Sequence, residues 1–141
     1  MALKFRLCEA VECCLKDVID QYGLGLFEIN ANEVLLKSGA YVLDVVSARD
    51  GVAVIYFDTD VNPIRGYNIF LYLLNKRRHL LVFDGESTVE GTYAEFVDSE
   101  LVSLSQHLRV AGRDILSGSK SWIEEYSWPT VRPSPAITAI L

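Results

Sequence analysis

Between Tyr41 and Thr59 the chain reads YVLDVVSARDGVAVIYFDT, two apolar runs joined at Arg49-Asp50-Gly51. Asp-Gly supplies the positive-φ positions of a tight hairpin turn. Val42, Leu43, Val45 and Val46 on one side, with Val52, Val54, Ile55, Tyr56 and Phe57 on the other, are the β-branched and aromatic residues of a pleated, largely buried surface. A lone hairpin is not stable in water, so other elements must cover this one.

Those elements are readable from periodicity and punctuation. From Leu3 to Tyr22, apolar residues at Leu7, Val11, Cys14, Leu15, Val18, Ile19 and Tyr22 predict an amphipathic helix, closed by Gly23 and Gly25. Its wet face, Glu9, Glu12, Lys16, Asp17 and Asp20, reads as simple solvation. Leu26 to Lys37 predicts a strand pair turning at Asn30-Ala31-Asn32, which makes Leu26 to Phe57 an antiparallel meander of three or four strands. Asp58 to Gly66 is a loop by composition, with Pro63 barring a regular strand.

Tyr67 to Phe83 is apolar on every face over Ile69 to Leu74, so periodicity does not separate helix from strand. Its Leu, Asn and Lys content inclines it to a short helix capped near Asn68, then an extended Leu80 to Phe83. Thr92-Tyr93-Ala94-Glu95 is a capping box. The helix it opens carries Val97, Leu101, Leu104, Leu108, Ala111 and Ile115 as one stripe from Tyr93 to Leu116. Ser121-Trp122-Ile123-Glu124 reads as a second capping box, and TVRPSPAITAIL as a Pro-containing tail, loose or docked by its apolar end. The expectation is one α+β domain over residues 1–128, with a tail over 129–141. Its antiparallel sheet has three to five strands, covered on one face by the N-terminal helix and the long helix of the C-terminal half.

With 141 residues, a single core can be buried without staples. No apolar run approaches the roughly 20 residues of a bilayer-spanning helix, and Glu9 and Glu12 interrupt any signal-peptide core, so a cytoplasmic, membrane-free protein is expected. A net charge of −6 argues against nucleic acid as partner. Cys8, Cys13 and Cys14 lie on one helix and form neither a disulfide framework nor a redox or zinc spacing.

Chemistry is not signalled. His79 and His107 stand near no nucleophile elbow, and no phosphate-binding loop occurs, so no catalytic residue, cofactor or metal site is assigned. Asp58-Thr59-Asp60 resembles a calcium loop only in its opening, since Asn62-Pro63 follows and no terminal Glu stands at the required distance. The basic cluster Lys76-Arg77-Arg78-His79 reads as an internal ion-pair site, with Arg77 or Arg78 gripping a carboxylate, in preference to an anion or partner site.

Three stretches, SARDGVAVIYFD, YNIFLYLLNKRRH and GRDILSGSKSWIEEY, follow the N-terminal helix in that order. Together they resemble small acidic immunity proteins of bacterial contact-dependent inhibition and polymorphic toxin systems. Asp114-Ile115-Leu116-Ser117-Gly118, ahead of Trp122-Ile123, is similar to a recurring ending in such proteins. The resemblance implies a non-catalytic inhibitor whose partner is a cognate toxin domain, and a nuclease with a basic groove would suit the acidity. It fixes no binding residues. Charge and loop position offer Asp58, Asp60, Asp84, Glu86 and Glu90 as contacts, with Tyr67 and Trp128 as aromatic anchors, although core packing is the commoner role for such rings. Two other readings stand beside it: a self-associating adaptor using the apolar sheet and tail, and a small-molecule enzyme with an unmarked pocket.

Overall fold

Asn30 accepts the Asn32 amide at 2.8 Å, Ser38 accepts the amides of Ala40 and Tyr41, and a two-residue loop joins Ala48 to Gly51. These three turns fold residues 25–58 into an up-and-down meander. In the computed structural model, which describes residues 6–81 and 92–141, the strands are β1 (Gly25–Asn30), β2 (Glu33–Lys37), β3 (Tyr41–Ala48), β4 (Gly51–Asp58) and β5 (Arg65–Asn68). They form one antiparallel sheet in chain order, β1-β2-β3-β4-β5. The fold is α+β, as expected.

The central hairpin differs from its sequence reading in one detail. Asp50 does not adopt positive φ; among the described residues only glycines do, and here it is Gly51, at +141°. Gly51 is paired with Ala48, so the left-handed backbone belongs to the first residue of β4 and not to the loop.

Alternation along the strands sends side chains to two different cores. On one face Val34, Leu36, Tyr41, Leu43, Val45, Val54, Tyr56 and Tyr67 join the helices. These are α1 (Leu7–Cys14), α2 (Lys16–Tyr22), α3 (Ile69–Lys76), α4 (Tyr93–Ala111) and α5 (Arg113–Leu116). The α4 stripe read from the sequence, Val97, Leu101, Leu104, Leu108 and Ala111, is buried throughout. On the other face Leu35, Val42 and Phe57 close around Ile137, with Ile140 and Leu141 beside it. The tail is therefore docked: Val131 pairs with Gly66 through two backbone hydrogen bonds of 2.7 and 2.9 Å, and a short α6 (Pro135–Thr138) lays Ile137 on the sheet. Burying one such aliphatic side chain stabilises by about 1.5–3 kcal/mol. Gly66 is required where the tail crosses, since a Cβ there would meet Phe57, Ile55 and Val131 at 2.6–2.7 Å.

Three helix boundaries correct the sequence reading. The first helix breaks at buried Leu15, which takes φ −105°, ψ 14° between α1 and α2. The long helix ends at Gly112, and α5 continues separately to Leu116. Ser121 does not cap a helix: it lies inside a 3-10 turn, Ser121–Glu125, whose preceding residue Lys120 makes no side-chain cap. The other caps form as read. Asn68 accepts the Leu71 amide at 3.1 Å, which settles the ambiguous segment as β5 followed by α3, and Thr92 accepts the Glu95 amide at 3.2 Å. Leu80 belongs to a 3-10 turn, Arg78–Leu80; Val82 and Phe83 lie outside the described residues.

Candidate functional site

The three stretches that carry the resemblance are distant in sequence and meet at one place. Trp122 is its centre, with the ring of Tyr56 at 5.1 Å, Tyr67 at 5.7 Å and Tyr72 at 5.0 Å. Offset and edge-on contacts of this kind add about 0.5–1.5 kcal/mol per pair beyond area burial. Tyr126 extends the cluster from Tyr67 to Trp128 and receives the Asn68 amide on its hydroxyl at 3.0 Å.

Polar contacts surround the rings. Arg77 forks onto Asp114 at 2.5 and 2.8 Å, donates to the Ala111 carbonyl at 2.7 Å, and lies 5.2 Å from the Tyr72 ring. This is the internal ion pair expected of the basic cluster. The Arg77 guanidinium holds the Asp114 carboxyl below the usual carboxylate range, its hydrogen bond outweighing burial. The Tyr72 hydroxyl donates to Glu125 at 2.7 Å, and the Tyr41 hydroxyl donates to the Leu116 carbonyl at 2.7 Å. Two buried groups in this knot, the Tyr56 hydroxyl and the Trp122 indole N–H, have no hydrogen-bond partner among the described residues.

On the rim, Lys120 donates to Asp58 at 2.5 Å and to Asp60 at 2.6 Å, while Asp58 also accepts the Asp60 amide at 3.0 Å. Of the residues proposed to contact a partner, then, Asp58 is buried and ion-paired, and Asp60 is exposed but shares the same lysine. Tyr67 is 8% exposed inside the aromatic cluster, and Trp128 is half-buried against Tyr126. Asp84, Glu86 and Glu90 lie outside the described residues. Lys120 itself had no sequence signal, because the acids it serves are about 60 positions away.

A second polar feature lies on the tail side of the sheet. Asp44 is 6% exposed on β3, and its Oδ1 has no hydrogen-bond partner among the described residues. Burial, helped by a hydrogen bond and charge repulsion from Glu33, pushes its carboxyl up to about 8. Side by side with Leu35 and Ile55 in the strand register, it is kept neutral by its surroundings.

Among the described residues no group of three or more His, Cys, Asp or Glu could hold a metal. Burial pushes the Cys14 thiol up to about 11, with Asp98 at 3.8 Å adding to the effect, which is the reverse of an activated thiolate. No helix among the described residues is long and apolar enough to cross a membrane. The chain matches no protein-family model, no curated protein and no solved structure.

Proposed function

We propose that this chain is an immunity-type inhibitor, which binds and neutralises a cognate bacterial toxin domain in the cytoplasm by protein–protein contact, without chemistry of its own. One observation supports the reading above others. The segments that resemble immunity proteins are not scattered words: Asp58 with Lys120, Tyr56 and Tyr72 with Trp122, and Arg77 with Asp114 join all three in one knot. Those contacts make the three stretches parts of one structural unit. The net charge of −6 fits a toxin with a basic substrate groove, such as a nuclease, because opposed charge speeds encounter and suppresses wrong partners.

Co-expression with the toxin domain encoded beside it tests the reading. The expected result is co-purification and restored growth of cells carrying the toxin. Failure to bind the product of any adjacent gene overturns it.

A further inference from the structure

We propose that the flank of the molecule formed by α3, the turn after it and the C-terminal half of α4 is a docking groove for an acidic, aliphatic-bearing peptide segment of a partner protein. Two open depressions, of about 360 and 470 Å³, share Val110 and Arg113 and so run into one another. Arg109 and Arg113 lie one helical turn apart across the end of α4, while Lys76 and His79 face the same groove from α3 and its following turn.

The charge is unspent. Among the described residues Lys76, His79 and Arg113 have no carboxylate within ion-pair distance, and Arg109 reaches only Asp17, at 3.4 Å between two exposed side chains. Surface pairs of that kind are weak and yield readily to a competitor. Of the carboxylates in the wall, Asp114 is paired with Arg77, and Glu125 accepts the Tyr72 hydroxyl and keeps its charge, which the cations outnumber. In a chain of net charge −6, a concave cationic strip concentrates field against the prevailing sign. An acidic segment is repelled elsewhere and guided here.

Between the charged side chains lie two exposed aliphatic ones, Leu80 at 40% and Val110 at 52% exposure. That composition favours a peptide over a nucleic acid. Tyr72, the phenol ring lining the groove, is buried, so no tyrosine, phenylalanine or tryptophan platform for base stacking is presented, and one lysine, two arginines and a histidine are few for a polyanion on an acidic protein. Carboxylates alternating with leucine would place charge on the arginines and lysine and apolar area on Val110 and Leu80. The groove is independent of the inhibitory role, which calls for a basic partner.

The test is fluorescence anisotropy of a labelled peptide of alternating Glu and Leu against the full chain, at low and high salt. Saturable, salt-sensitive binding is expected. The Lys76→Glu/Arg113→Glu variant should weaken it at least about tenfold, while Arg132→Glu on the docked tail leaves it unchanged. If the double variant loses its circular dichroism signal, Lys76→Gln/Arg113→Gln is read in its place. Absence of saturable binding, an equal loss in Arg132→Glu, or tighter binding of a single-stranded oligonucleotide of the same charge overturns the proposal.

Discussion

The Lys120 ammonium lies 2.5 Å from the Asp58 carboxylate, which is itself 5% exposed at the end of β4. Burial alone would lower the lysine's affinity for its proton, yet hydrogen bonds to Asp58 and Asp60 outweigh it and raise the pKa above the ordinary lysine value. Lys120→Met leaves a buried carboxylate unpaired and should cost about 3 kcal/mol in urea unfolding at pH 7. Adding Asp58→Asn should recover much of the loss. Because the folded pKa is the higher one, the contribution is complete from neutral pH to about pH 10 and fades as pH rises through the folded value. A Lys120→Met protein as stable as the parent would show that the contact carries no weight.

Asp44 titrates with the same sign at lower pH, but here the raised pKa reports a charge that burial disfavours and not one that a partner stabilises. Its folded carboxyl holds a proton that the unfolded chain releases near pH 4, so folding takes up a proton between about pH 4 and 8. Stability should fall with rising pH across that window and level off above it. Asp44→Asn removes the titration and should raise stability at pH 8 by about 1 kcal/mol or more, with little change at pH 4. Parallel pH profiles for the two proteins would refute this.

Tyr56 presents a buried hydroxyl without a hydrogen-bond partner among the described residues, while its ring stacks on Tyr41 and meets Trp122 edge-on. Tyr56→Phe keeps the rings and removes the unsatisfied group. The expected outcome is a melting temperature equal to the parent's or higher, by up to about 1 kcal/mol in stability. A loss of that size would mean that the hydroxyl has an unseen role. Trp122→Ala, by contrast, empties the centre of the cluster and should cost about 3–5 kcal/mol.

Ile137 is 2% exposed against Leu35, Val42 and Phe57. Ile137→Asp should undock the tail, bare an apolar strip of sheet and produce concentration-dependent association in sedimentation. A monomer at all concentrations would show that the strip is covered by other means.

What the sequence disclosed, and what it hid, follows from range. The Asn68 and Thr92 caps, the α4 stripe and the turns at Asn30 and Ser38 are local signals, each contained within a few residues. β5 was missed because Arg65-Gly66-Tyr67-Asn68 has little intrinsic strand preference; it is a strand because β4 lies on one side and Val131 bridges Gly66 on the other. The break at Gly112 was open to reading, since glycine within a helical pattern is a warning. The break at Leu15 was not, because leucine is a strong helix former. The candidate contacts Asp58 and Tyr67 looked available only because Lys120 and Trp122, which occupy them, stand far along the chain.

The aromatic and ionic knot also bears on time. Each strand joins its neighbour through a short turn, so the sheet can assemble from contacts close in sequence, which form early because little chain has to be closed. The Lys120 contact to Asp58 bridges 62 residues, and the contacts of Trp122 lie comparably far apart. Contact range therefore predicts that the sheet is built first and sealed last, and that a molecule opening from the native side breaks this seal before it loses a strand.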